Sequence, residues 1–193
     1  NADFQALSCE DQLNYYYNVG ANYYYLDLLS EALVYWKDTA LHQATQCWNI
    51  RHPEVGYYHY VIGIVHGGLN EYEEQAFHFE QSLSIQEGQA AADALDLADL
   101  MVEIARLNLN FKDYSKANRF LAKAERLYQN IEELDPGKLN RLNEVWGLVL
   151  YESENFEESI EKSRLVLTTD PSNSVVIHNL GSAYLGIGEL EDA

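Results

Sequence analysis

The strongest constraint on this chain is a set of small residues that recurs inside helical apolar patterns. Gly20, Gly63, Ala105, Gly147 and Gly181 are separated by 43, 42, 42 and 34 residues. Around each of them apolar residues return at helical spacing, and alternating strand patterns are absent. Recurrence at this length marks a supersecondary unit that cannot bury its apolar face alone and must stack on copies of itself. Sparse breakers cut the chain into short-linked helices: His52-Pro53, Gly67-Gly68, Gly88, Asp135-Pro136-Gly137 and Asp170-Pro171. The predicted helices span 8–26, 29–49, 54–68, 71–87, 90–110, 113–133, 137–153, 155–168 and 173–187. Links as short as Asn70-Glu71 and Lys112-Asp113 imply antiparallel pairs.

The spacing within each unit has a packing reason. A small residue on the first helix lets the second approach, a small residue early in the second fills the reciprocal notch, and a large residue plugs the space between them. Gly147 pairs in this way with Ser159, Ala105 with Ala117, and Gly20 with Ala32 and Trp36. The second unit departs from the pattern: Gln75 stands where a small residue is expected, and Ala76 comes one place late.

Leu180-Gly181-x-x-Tyr184, Trp146-Gly147-x-x-Leu150, the 34-residue phase, Ala193 and Pro171 together resemble the tetratricopeptide repeat (TPR) family. The first three units are about eight residues longer, a style similar to the TPR domains of Gram-positive peptide-pheromone sensors. The resemblance implies an all-α, right-handed superhelix of about nine antiparallel helices, four full pairs and one truncated. Its repeats fall near 8–49, 54–87, 90–133, 137–168 and 173–193, in one solenoid over 3–193. Asn1-Ala2 reads as a tag remnant, and Glu189 to Ala193 as the opening of a helix in a longer protein.

The resemblance also implies a concave groove lined by the first helix of each pair. Carried onto this sequence, its peptide-binding positions include Tyr17, Tyr24 and Tyr25 in the first unit and Tyr57 and Tyr60 in the second, where Ile64 and Gly68 also face the groove. Later units offer Arg106, Asn110, Arg141, Glu144 and Tyr151. Tyrosine joins a large apolar area to a polar tip at low entropic cost, asparagine can pair with a peptide main chain, and arginine can fork onto a carboxylate. The clamp by which chaperone-tail TPR domains hold a C-terminal carboxylate is not expected, because its first-unit slots are Tyr17 and Ala21.

Charge narrows the partner further. The 193 residues carry 31 acids and 12 bases, a net charge of −19, which repels nucleic-acid phosphates and anionic membrane surfaces. Residues 1–100 hold 15 of the acids but only Lys37 and Arg51 as bases. An apolar, aromatic or basic peptide or protein segment is therefore the expected partner. Lys112, Lys116, Arg119, Lys123 and Arg126 form a stripe on one helix, readable as a docking face for an acidic partner or as an ordinary solvated face.

Chemistry is sparse. There is no phosphate loop, no His-Glu-x-x-His and no nucleophile elbow, and acid pairs such as Glu73-Glu74 read as solvated faces. His52, His59 and His66 lie seven apart, about 10 Å along a helix and too far to share one metal without help from another helix. Neither metal nor cofactor is expected. Cys9 and Cys47 read as buried free thiols, in keeping with a reducing cytoplasm. The expectation is a cytoplasmic, non-catalytic peptide-binding module, the sensor or regulatory part of a larger bacterial signalling protein. The alternative is a scaffold or self-association module whose groove is filled by its own chain or by a second copy in a homodimer.

Overall fold

A computed structural model describes residue 4 and residues 6–89 and 92–188. The expected tag remnant and the expected helix opening after Gly188 lie outside them. The described residues form nine helices and no strand. They are α1 (Cys9–Tyr25), α2 (residues 29–47), α3 (Pro53–Gly68), α4 (Tyr72–Glu87), α5 (Ala94–Asn110), α6 (Tyr114–Tyr128), α7 (Pro136–Glu152), α8 (Phe156–Thr169) and α9 (Ser174–Ile187). The chain packs as two compact units, Asn1–Ala92 and Asp93–Ala193. In the first, α1 pairs with α2 and α3 with α4, and α2 also packs on α3. In the second, α5 pairs with α6 and α7 with α8, and α9 covers α7 and α8.

Helix ends follow local chemistry. Ser8, Asp93, Asp135 and Asn173 each accept a backbone N–H of the first turn through their side chains. Capping by Asp93 starts α5 at Ala94, later than the expected 90. Turn hydrogen bonds from Asn130 and Ile131 end α6 at Tyr128, earlier than the expected 133.

One turn is built four times. Asp27, Asn70, Lys112 and Glu154 all adopt left-handed conformation, with φ between 56° and 63°. Each stands seven residues after its small anchor, and Gly188 holds the same place after Gly181 with φ 83°. The next residue's N–H donates back to the fifth residue before it: Leu28 to Tyr23, Glu71 to His66, Asp113 to Asn108 and Asn155 to Leu150, at 2.8–3.0 Å. This Schellman-type closure turns the chain at a constant distance from the anchor and sets the register of each pair.

The anchors sit at the predicted approaches. Ala32, Ala105 and Ala117 have no exposed surface, and the Ser159 hydroxyl donates to the Gly147 carbonyl at 2.8 Å. A Cβ on Gly20 would lie 2.4 Å from Trp36 Nε1, and one on Gly63 would lie 2.5 Å from Phe79 Cδ1. The misfit at Gln75 is absorbed by Gly67, where a Cβ would stand 2.5 Å from the Gln75 amide nitrogen.

The first unit deviates more from regular helix. α2 runs as an α-helix over Leu29–Leu33, a π-helix over Val34–Leu41 and an α-helix again over His42–Cys47. The π-segment carries Trp36, which is buried and donates through Nε1 to the Tyr17 carbonyl at 3.1 Å. The core here gathers Leu13, Ala32, Trp36, Ala40, Ala44, Tyr58, Ile62 and Val65, and the Tyr58 hydroxyl donates to the Leu13 carbonyl at 3.2 Å. The expectation for cysteine is overturned: Cys9 and Cys47 are joined in a disulfide across a Cα separation of 6.3 Å. The antiparallel α1–α2 pair brings the start of one helix beside the end of the other, which sequence proximity alone does not reveal.

Five measurements test this packing. Gly63→Ala should lower stability by about 1–3 kcal/mol through overpacking against Phe79. Gly147→Ala should be close to neutral by chemical denaturation, because its nearest neighbours lie at 3.3 Å and 3.6 Å and alanine favours helix. Lys112→Gly should raise the denaturation midpoint, since a non-glycine residue in left-handed conformation costs about 1–2 kcal/mol, offset in part by glycine's entropy. Thiol titration of the native chain should find no free cysteine. Reduction of a bond that closes a 38-residue separation should remove about 3–4 kcal/mol.

Candidate functional site

Five of the expected binding residues lie in the first unit, and the structure brings them into two neighbouring aromatic groups. The Tyr17 and Tyr57 hydroxyls are 2.8 Å apart, with ring centroids at 5.6 Å, so α1 and α3 meet through them. Burial, followed by the bond to Tyr17, raises the pKa of the Tyr57 hydroxyl above the ordinary tyrosine value. Tyr17 also stacks on Trp36, and Tyr24 leans on the same indole at 6.0 Å. Tyr60 stacks on Phe79 at 5.8 Å and is half-buried.

Beyond Tyr24 a cleft of about 460 Å³ opens, lined by Tyr24, Tyr25, Asp27, Leu29, Ile64 and Gly68. Four of these six, Tyr24, Tyr25, Ile64 and Gly68, are positions that the repeat register assigns to the groove face. Tyr25 is 82% exposed. Asp27 enters the lining because its left-handed turn directs the chain back across the end of α1. Asp27 and Leu29 were not assigned to the groove, since the register reads only the first helix of each pair.

The remaining five lie in the second unit and serve different ends. Arg106 donates to the Glu103 carboxylate through Nε and a terminal nitrogen at 3.1 Å, and Arg141 forks onto the same carboxylate from α7. Hydrogen bonding to Glu103 raises the Arg141 pKa. The carboxylate onto which these arginines fork is thus supplied by the chain itself. Asp99, one turn earlier, accepts from the Tyr128 hydroxyl and from Lys138. Asn110 is exposed and Glu144 half-buried. Tyr151 packs on Phe156 at 5.8 Å, beside the buried cluster of Ile160, Ala183 and Tyr184.

A second cluster, not anticipated from the sequence, lies between α3 and α4. His66 and His78 are both 3% exposed, and one donor atom from each of His66, Glu74 and His78 falls within 4.8 Å of the others. The Nδ1 atoms of His59 and His78 are 2.9 Å apart, and His66 Nδ1 is 2.6 Å from a Glu71 carboxylate oxygen. Lys37, on the π-segment of α2, reaches His66 Nε2 at 3.5 Å and Glu74 at 3.9 Å. Burial, then neighbouring His59, His66 and Lys37, pushes the His78 pKa down to about 3. The signal was present in the hairpin register: with Gly63 opposite Gln75, His59 falls within one residue of His78, and His66 faces the first turn of α4. Testing histidine spacing along a single helix misses such a set.

No family model and no curated protein matches this sequence. Solved structures do match. MamA (residues 41 to the end) from Desulfovibrio magneticus RS-1 is similar at TM-score 0.73 and 19% identity, over 94% of this chain and 88% of that one. Repeats of a putative kinesin light chain from Podosopora anserina, described as nearly identical and TPR-like, give TM-score 0.74 at 13% identity over 96% and 91%. YrrB, described as a TPR protein with an unusual peptide-binding site, gives TM-score 0.68 at 19% identity over 92% and 78%.

Proposed function

We propose that this TPR fold is a non-catalytic binding module whose first unit takes an apolar, aromatic or basic peptide segment. The observation that carries this reading is the cleft lined by Tyr24, Tyr25, Asp27, Leu29, Ile64 and Gly68. An aromatic wall and one carboxylate at the rim suit an extended segment with a cationic side chain, while Gly68 makes room for Leu29 in the floor of the cleft. The 15 acids and two bases of residues 1–100 favour the same choice. Tyr17, Tyr57 and Tyr60 extend the aromatic surface. In the second unit, Asn110 and Glu144 offer polar contacts, whereas Arg106 and Arg141 would have to exchange Glu103 for a ligand group. Tyr151 contributes by packing. One of the neighbouring folds, YrrB, is described by its peptide-binding site, which accords with this use of the architecture.

The setting we propose is a sensor or regulatory part of a larger protein. The cytoplasmic expectation rested in part on two free thiols. The Cys9–Cys47 bond suits an oxidising compartment better. Among the described residues no helix is long and apolar enough to cross a membrane.

Selection from a random peptide library should enrich apolar sequences that contain Lys or Arg. Tyr25→Ala should keep the helical circular dichroism, because the residue is 82% exposed. It should weaken the selected peptides about 30-fold if the ring is an anchor of 2 kcal/mol or more. Asp27→Asn should reduce the preference for basic over neutral peptides. Enrichment of acidic peptides alone would reject the reading. A dimer in light scattering, with Tyr25 protected from solvent and no peptide enriched, would replace it with self-association.

A further inference from the structure

We infer that His66, Glu74 and His78 form a binding site for a zinc-type divalent cation, in competition with the ammonium group of Lys37. The three residues come from both helices of one hairpin. His66 lies in the last turn of α3, Glu74 in the first turn of α4, and His78 one turn further along α4.

The arrangement of hydrogen bonds favours ligation. Metal-bound imidazoles almost always donate their second nitrogen to a neighbouring acceptor, which fixes the tautomer and the ring orientation. Here Glu71 holds His66 Nδ1 at 2.6 Å, so that nitrogen carries the proton and Nε2 keeps its lone pair. Lys37 Nζ, which can only donate, lies 3.5 Å from that same Nε2, as this assignment requires. His59 Nδ1 stands 2.9 Å from His78 Nδ1, and with His59 accepting there, His78 Nε2 keeps its lone pair for a metal. Both rings are buried and close to parallel, with centroids 5.3 Å apart and an interplanar angle of 17°.

Charge favours the same place. Glu71 and Glu74 bring two carboxylates, and the one nearby base, Lys37, already lies against His66 and Glu74. The site thus holds a cationic group, and a metal would take over its position. Ligand atoms of a tetrahedral zinc stand about 3.4 Å apart, given bonds near 2.0–2.1 Å. The three donors, within 4.8 Å of one another, must therefore close by at most about 1.4 Å. The Glu74 side chain is 55% exposed and that of Lys37 38%, so one can swing in and the other out without disturbing the core. Two imidazoles and one carboxylate select a transition cation over calcium or magnesium, which prefer oxygen ligands throughout.

The site is separate from the tyrosine cleft. His66 stands two residues from both Ile64 and Gly68, which on a helix places it on the opposite side. The two readings can therefore fail independently. A cation bound here would tie α3 to α4 across the turn at Asn70.

The test uses the full chain, freed of any histidine tag and treated with chelator. Titration with Co²⁺, followed by Zn²⁺, should give one saturable equivalent with d–d absorption that Zn²⁺ abolishes, and a raised Tm. Glu74→Ala, at an exposed position, should weaken binding by about 10-fold or more while leaving the fold intact. Glu71→Gln should cost about 10–100-fold through its effect on His66. Lys37→Ala should tighten binding, an effect that a general loss of structure does not produce. His78→Gln, with its helicity checked by circular dichroism, should remove the Co²⁺ spectrum. Absence of a saturable Co²⁺ spectrum in the native chain overturns the proposal. So does binding that survives both Glu74→Ala and His78→Gln unchanged.

Discussion

The structure depends on one contact repeated along the chain: the close approach of two antiparallel helices at a small residue, followed seven residues later by a left-handed turn. The constant interval matters because it fixes which residues face each other in every pair. At Gly147 the approach is close enough for the Ser159 hydroxyl to reach its carbonyl. At Gly20 the same room is filled by the Trp36 indole, and at Gly63 by Phe79. Four different non-glycine residues accept a left-handed backbone to preserve the turn. The stabilisation from burying the two helix faces outweighs that conformational cost at each position.

This contact was legible in the sequence because it needs particular residue sizes at particular spacings. Helix number, pairing and the anchors at Ala105–Ala117 and Gly147–Ser159 followed from it. The tyrosine cleft was partly legible for the same reason: Tyr24, Tyr25, Ile64 and Gly68 line it as the register assigned them. What escaped were contacts between side chains that periodicity does not order. The i,i+3 spacing of Glu103 and Arg106 is legible, but nothing in the sequence indicated that Arg141, from another helix, would engage the same carboxylate. Nothing in the positions of Cys9 and Cys47 indicated a bond until α1 and α2 were laid antiparallel. The π-segment at Val34–Leu41 has no signature in apolar pattern, because the extra backbone width changes phase without changing composition.

The two units use charged residues differently. In Asp93–Ala193, acids and bases are matched within the unit: Asp99 with Lys138, Glu103 with Arg106 and Arg141, and Glu125 with Lys162, which also lies over the Trp146 ring at 3.7 Å. In Asn1–Ala92 the acids far outnumber the bases, and the first unit keeps a negative field beside an exposed aromatic wall. A cationic or apolar segment gains from both features at once, whereas an anionic one meets repulsion before it reaches the rings.

The π-segment connects the two features of the first unit. Widening α2 at Val34–Leu41 sets Trp36 and Lys37, adjacent in sequence, against different parts of the unit. Trp36 turns towards Tyr17 and Tyr24 and backs the aromatic surface. Lys37 reaches His66 and Glu74 on the next hairpin. Whatever draws the Lys37 ammonium out of the histidine cluster therefore acts one residue away from the indole that supports the tyrosines. Trp36 is buried against Gly20, with no space for even a methyl group between them, so the π-segment packs directly on α1, the helix that carries Tyr17, Tyr24 and Tyr25.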